Sequence, residues 1–229
     1  MNNDLLIEQK NYYRARAAEY DDWWFRRGRY DRGATENHAW FAEAEALRQA
    51  VKSLGRCKRT VELACGTGLW TELLAGISDE LTALDASPEM LALARSRVPS
   101  AHVRWHVEDL FAWQPQPEFD LAFAGFWFSH VPPDRLDKFL GTVSAALRPG
   151  GRLLIVDSLY DNSSTARDHQ LGEREQHWQS RRLTDGREFR VVKVFYDPAV
   201  LKQMLEQHGF DAEVNHTGRF FFQAAGTKR

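Results

Sequence analysis

Along most of this chain, short runs of β-forming residues alternate with segments of helical pattern, and that alternation narrows the architecture more than any other feature. The β-type runs cover residues 60–64, 81–85, 103–106, 119–124 and 152–157. Helical patterns lie between them, after Gly68, over 87–97 and over 133–147, and Pro149-Gly150-Gly151 turns the chain into the last of these strands. Strands joined through helices run parallel, and the helices then cover both faces of the sheet. Before this core the sequence predicts helices over 5–20 and about 36–54, the second ending before Gly55. After it, residues 160–180 are polar and poorly periodic and read as a loop or loose helix. A hairpin follows, marked by Asp185-Gly186 between Arg181-Arg182-Leu183 and residues 189–195. A helix over 198–207, stopped by Gly209, and strands around 212–214 and 220–225 complete the pattern. The expected fold is α/β and doubly wound, a mainly parallel seven-stranded sheet with N-terminal helices as a lid and an added β-hairpin. One domain spans 1–229: helices to 55, a ligand-binding core over 56–160, then the hairpin and closing strands over 161–229.

Length favours one domain, since two cores in 229 residues would each be small. Apolar residues are 43% and charged residues 27%, which argues against disorder and membrane insertion. The start, Met1-Asn2-Asn3-Asp4, lacks the basic and apolar segments of a signal peptide, so a cytoplasmic location is expected. In that setting Cys57 and Cys65 read as free thiols. A net charge of -2 provides no overall field for a phosphate backbone, which counts against a nucleic-acid partner.

The run Val61-Glu62-Leu63-Ala64 leads into Cys65-Gly66-Thr67-Gly68, outside the carboxyl end of the first strand, where open α/β sheets bind ligands. Glycines there let the backbone turn tightly and let a ligand approach closely. Alone the turn is a weak signal, and the third glycine of a dinucleotide site is missing near Thr71. Its neighbours strengthen it. The second strand ends in Leu84-Asp85-Ala86, a carboxylate placed to accept from two vicinal hydroxyls. Glu108-Asp109-Leu110 follows the third strand, an acid beside a backbone N–H suited to an adenine edge. Gly125-Phe126-Trp127 ends the fourth.

In order and spacing these motifs resemble those of class I S-adenosylmethionine-dependent methyltransferases, and the resemblance runs from Tyr12 almost to the end of the chain. It implies a Rossmann-like fold, S-adenosylmethionine as cofactor, S-adenosylhomocysteine as product, and a small-molecule methyl acceptor, with the protein a monomer or homodimer. It also implies that Glu62, Ala64, Cys65, Gly66 and Gly68 hold the methionine part, Asp85 with Ala86 and Met90 the ribose side, and Glu108, Asp109 and Leu110 the adenine. Gly125 and Phe126 flank the methionine end, and Tyr12, Arg16 and Tyr20 cover it as part of a lid. Ala64 stands where glycine is frequent. No cluster of hard oxygen ligands follows the fourth strand, so no metal is expected. Adenine amino-methylases carry Asn or Asp before Pro-Pro-Tyr at that point, which Gly125-Phe126-Trp127-Phe128 does not match.

Two segments carry a narrower likeness, to phosphonate O-methyltransferases of dehydrophos biosynthesis: Tyr12-Tyr13-Arg14-Ala15-Arg16-Ala17 with Glu19-Tyr20-Asp21, and Asp185-Gly186-Arg187 continuing to Phe195. This implies an anion-binding acceptor pocket built from Arg181, Lys193 and Tyr30. A three-residue loop at Thr184-Asp185-Gly186 puts Arg181 on one face with Phe189, Val191 and Lys193, whereas a two-residue loop sets it opposite Arg190. Lys193, sharing a face with apolar residues, must reach water, pair with an internal acid or meet an anionic ligand. His130 follows the fourth strand and is a candidate base or orienting donor. Methylation of nitrogen or of a neutral hydroxyl, and a non-catalytic cofactor-binding domain, are the competing readings.

Overall fold

The computed structural model describes residues 3–229. Its elements in order are α1 (Asn3–Arg16), α2 (Asp21–Trp24), α3 (Ala34–Lys52), β1 (Cys57–Leu63), α4 (Thr71–Ile77), β2 (Ser78–Asp85), α5 (Pro88–Arg97), β3 (Val103–Val107), β4 (Phe119–Gly125), α6 (Pro133–Ala146), β5 (Leu147–Ser158), β6 (Trp178–Arg182), β7 (Glu188–Val192), α7 (Pro198–Gln207), β8 (Phe210–His216) and β9 (Phe221–Lys228). Seven strands form one sheet in the order β3-β2-β1-β4-β5-β9-β8. The first five are mutually parallel, and β9 pairs antiparallel with both β5 and β8. The remaining pair, β6 and β7, forms a separate antiparallel hairpin. The expected seven-stranded, mainly parallel sheet with lid helices and a hairpin is what the chain adopts.

Strand residues alternate between two cores. Val61, Leu63, Ala122, Ala124, Leu153 and Ile155 face the layer of α6 and α7. Leu121, Phe123, Leu154 and Val156 face Trp40 and Leu47 of α3, Leu74 of α4 and Leu91 of α5. Both faces of β4 and β5 are therefore apolar, as a sheet covered on both sides requires. Local chemistry sets several helix starts. Ser87 Oγ accepts from the Met90 N–H at 3.2 Å with Pro88 in the first turn of α5, and Asp197 caps α7 through the Ala199 N–H at 2.8 Å.

Several strands begin earlier than the sequence expectation, β2 at Ser78 rather than 81 and β5 at Leu147 rather than 152, and three further differences bear on the site. Helix α1 stops at Arg16 rather than at 20, giving way to a 3-10 turn over Ala17–Glu19 and then α2. There the chain is drawn toward the glycine turn, where Asp21 accepts from Thr67 Oγ1 at 2.6 Å and pairs with Arg97. Strand β6 starts at Trp178 because its pairing with β7 reaches back to Val192. Strand β7 ends at Val192, so Lys193 lies just past it rather than inside; the next N–H, of Val194, donates to Ser129 O at 2.8 Å. The hairpin itself has the three-residue loop, with Arg181 opposite Phe189 and the Leu183 N–H donating to Arg187 O at 2.9 Å.

The turn after β1 needs its second glycine for packing. Gly68 has φ +83°, and a Cβ there would sit 3.0 Å from Ala94 Cα in α5. Replacing it with alanine combines a left-handed backbone penalty with a clash against helix backbone. We expect Gly68→Ala to destabilise the protein by about 1 to 3 kcal/mol, read as a lower urea midpoint at unchanged slope.

Candidate active site

The parallel strands present their carboxyl ends at one edge, and the sheet order reverses there between β1 and β4. A cavity of about 750 Å³ opens at that edge. Asp85, Ala86 and Met90 line it from the end of β2 and the start of α5. Glu108, Asp109 and Leu110 line it from the far side, and Ala64, Gly66, Gly125 and Phe126 from the ends of β1 and β4. Each Asp85 oxygen already accepts one backbone N–H, Oδ2 from Gly66 at 2.9 Å and Oδ1 from Ser87 at 2.8 Å. Those bonds fix the carboxylate and leave each oxygen a second lone pair for a diol. Ala64 and Phe126 both hold left-handed backbone, φ +56°, at the strand ends where the wall bends. At Gly125 a side chain would meet the Trp70 ring at 2.7 Å.

Helix α1 roofs this cavity. Leu6, Gln9 and Lys10 line it, and Lys10 Nζ pairs with Asp109 at 2.8 Å. The same helix is fastened to the hairpin: Glu8 pairs with Arg190 at 2.9 Å and Gln9 Oε1 accepts the Val192 N–H at 2.9 Å. Gln9 Nε2 also donates to His130 O at 3.3 Å, so one buried amide joins the roof, the hairpin and the loop after β4. Sequence reasoning missed Gln9 and Lys10, because neither carries a motif and their partners are distant in the chain.

A second cavity of about 720 Å³ adjoins the first, and Tyr13, Tyr20, Phe126 and His130 line both. Arg16, Tyr30, Arg181 and Lys193 converge on it. Tyr12 and Arg16, expected over the methionine end of the cofactor, line this adjoining chamber and not the first. The end of α1 turns that face toward the hairpin, where Tyr12 packs on Leu183 and Val191. The Arg16 guanidinium lies over the Tyr12, Tyr20 and Tyr30 rings at 5.6, 5.0 and 5.8 Å and donates to Tyr30 Oη at 3.3 Å. Its Nε is buried without a partner. Arg181 meets the His169 ring. No Asp or Glu lines this chamber among the described residues, and Arg29 and Arg182, also at its wall, share Asp168.

Lys193 has an internal partner that the sequence did not disclose. Its Nζ lies 2.8 Å from Ser129 Oγ and 3.4 Å from Asp157 Oδ1, and Asp157 is fully buried at the end of β5. Burial pulls the ammonium below its ordinary pKa, and the Asp157 carboxylate opposes that pull. His130 has both ring nitrogens engaged, Nδ1 at 2.6 Å from Val192 O and Nε2 at 2.9 Å from Tyr13 Oη. Burial, with the nearby Lys193 charge, pushes its pKa down to about 3.

Three turn residues expected at the cofactor line neither cavity. Glu62 is buried beneath the floor and accepts from Thr71 Oγ1 at 2.6 Å. The Cys65 N–H donates to Leu84 O at 2.9 Å, while burial raises its thiol well above the ordinary range. Gly68 packs against α5 as described. Among the described residues no group of three or more His, Cys, Asp or Glu is placed to hold a metal ion.

The first chamber fits S-adenosylmethionine. Asp85 suits a ribose diol, the apolar Ala86, Met90 and Leu110 suit a purine face, and the Tyr13, Tyr20 and Phe126 rings suit a sulfonium charge. Removing the Asp85 carboxylate forfeits hydrogen bonds to a charged group, worth about 1.5 to 3 kcal/mol. Asp85→Ala should therefore weaken S-adenosylmethionine binding about tenfold or more, measured by calorimetry on the folded variant. A pH dependence follows from two buried acids. Burial raises Glu62 from an ordinary 4.5 to about 8 and Asp85 from 3.8 to about 6. The folded chain holds these protons more tightly than the unfolded chain, so stability declines as pH rises from 4.5 through about 8 for Glu62, and from 3.8 through about 6 for Asp85. Glu62→Gln should flatten the decline above about pH 6, seen in urea midpoints collected across pH.

Comparison with known proteins bears directly on this geometry. Residues 61–151 match the family model described as a methyltransferase domain. The DhpI–SAM–HEP complex superposes with a TM-score of 0.78 at 35% identity, covering 99% of each chain, and the DhpI–SAH complex gives 0.76 at the same identity. Trans-aconitate 2-methyltransferase of Variovorax paradoxus is 37% identical over 121 residues, 49% of this chain and 45% of that protein. The enzyme of the same name from Mycobacterium sp. strain KMS is 32% identical over 165 residues, 70% of this chain and 61% of that protein. The chain thus spans about half of the length of the curated relatives that it matches, but essentially all of DhpI. With the cofactor chamber, the sheet order and a full-length likeness in agreement, the chain belongs to the class I S-adenosylmethionine-dependent methyltransferases.

Proposed function

We propose that this chain methylates a small molecule on an oxygen that is already anionic, a phosphonate or a carboxylate, held in the second chamber. The observation that carries this reading is the charge of that chamber: Arg16, Arg181 and Lys193 converge on it, and no described acid lines it. Lys193 is offset by Asp157, but Arg16 and Arg181 meet tyrosine and histidine rather than a carboxylate, and buried cations so placed are costly unless a ligand supplies the counter-charge. The names of the relatives are consistent with it, since trans-aconitate is a carboxylate.

When bound, S-adenosylmethionine supplies an electrophilic methyl carbon on a positively charged sulfur. The chain's own residues supply alignment and dryness, and alignment of this kind is worth up to about 7 to 11 kcal/mol in well-oriented model reactions. Asp85 holds the donor side, and the Arg181 guanidinium takes an acceptor oxygen with its fork of donors. Phe126, Tyr13 and Tyr20 line the passage between the chambers and keep water from it. An ionised oxygen needs no base. The competing reading, a neutral acceptor deprotonated by His130, requires the ring to take up a proton, although its Nε2 already faces the Tyr13 hydroxyl and its pKa is pushed to about 3.

Lys193 is a poor probe of this reading, because its removal strands the buried Asp157. Arg181 has no such partner. Arg181→Gln should raise KM for the best acidic acceptor about tenfold or more and leave S-adenosylmethionine affinity near wild type. The acceptor comes from a screen of phosphonates, carboxylates, amines and phenols, and turnover confined to amines or neutral phenols would refute the proposal.

A further inference from the structure

Methyl transfer where the two chambers meet, the reading on which this inference rests, uses the Tyr13 ring as a wall but leaves its hydroxyl without a role. Its ring is held edge-on by Tyr12 and His130, with centroids 5.1 and 5.5 Å away. Its hydroxyl lies 2.9 Å from His130 Nε2. The far side of the imidazole fixes which atom carries the hydrogen between them. His130 Nδ1 is 2.6 Å from Val192 O, and a carbonyl oxygen only accepts, so Nδ1 bears a hydrogen. Buried against Lys193, the ring carries one proton at neutral pH. Nε2 is therefore bare and accepts the Tyr13 O–H. With its hydrogen committed to His130, Tyr13 has only lone pairs to offer in its other directions, and the residue lines both chambers.

We propose that Tyr13 Oη is a positioning acceptor for the methyl group that is to be transferred, receiving the polarised C–H bonds of the sulfonium methyl as weak hydrogen bonds and aiming that carbon at the second chamber. His130 acts through Tyr13, by keeping the phenolic hydrogen away from the junction. The contact exists with S-adenosylmethionine and is lost with S-adenosylhomocysteine, which has neither the methyl nor the charge.

The test needs no acceptor. Calorimetric titrations of S-adenosylmethionine and S-adenosylhomocysteine are run on wild type and on Tyr13→Phe, which keeps the ring and its packing. The preference for S-adenosylmethionine over S-adenosylhomocysteine should fall about two- to fivefold in the variant, with S-adenosylhomocysteine affinity unchanged. With methyl-13C-labelled S-adenosylmethionine, the bound methyl proton resonance should lie further downfield in wild type than in Tyr13→Phe. An unchanged preference with an unchanged resonance overturns the proposal, as does an equal loss of both ligands, which would make Tyr13 a packing residue. Failure of wild type to bind either ligand would instead bring down the cofactor chamber, and this inference with it.

Discussion

A parallel sheet delivers all its carboxyl ends to one edge, and the rest of this molecule is arranged around that geometric fact. Five strands end there in a row, so the residues just beyond them are neighbours in space although they are scattered in sequence. Asp85 closes β2, Gly125 closes β4, and Asp157 and Ser158 close β5. The glycine turn and the loop after β4 bend away from the sheet at left-handed positions, and the space they vacate becomes the first chamber. Of the parts added to the core, α1, α2 and the hairpin gather at this one edge, while α3 lies on a face of the sheet.

Polar groups at that edge are held by a small number of buried acids. Asp85 gathers the Gly66 and Ser87 N–H groups on the donor side. Asp157 does the corresponding work beside the second chamber, accepting from the Ser129 N–H and Oγ, both at 2.8 Å, and from the Ser158 N–H at 2.7 Å, with the Lys193 ammonium beyond. Cations divide into two kinds. Arg29 and Arg182 are neutralised by Asp168, Lys193 faces Asp157, and Arg16 and Arg181 meet tyrosine and histidine instead. That division, rather than the number of basic residues, gives the second chamber its character.

Features that rest on local chemistry were legible in the sequence. The βαβ rhythm, the turn at Gly66, the strand-end carboxylate of Asp85 and the hairpin loop at Asp185-Gly186 each depend on a few adjacent residues, and each stands where the pattern put it. The convergence of Arg181, Lys193 and Tyr30 was legible too, through the narrower likeness. What was hidden depends on long-range pairing. The acid beneath Lys193 is 36 residues away, and Gln9 meets Val192 across 183. The faces of α1 were also hidden, because tyrosines and arginines occupy both sides of its last turns, and the contact with Leu183 and Val191 decides which side faces which chamber. For His130 the pattern gave a position but no tautomer, since the deciding carbonyl belongs to Val192.

Helix α1 is a shared wall. Through Lys10 it is latched to Asp109 beside the first chamber, and through Glu8 and Gln9 to the hairpin beside the second. Any displacement of this helix large enough to open one chamber would also break its contacts with the other, so the two compartments are mechanically coupled through a single element.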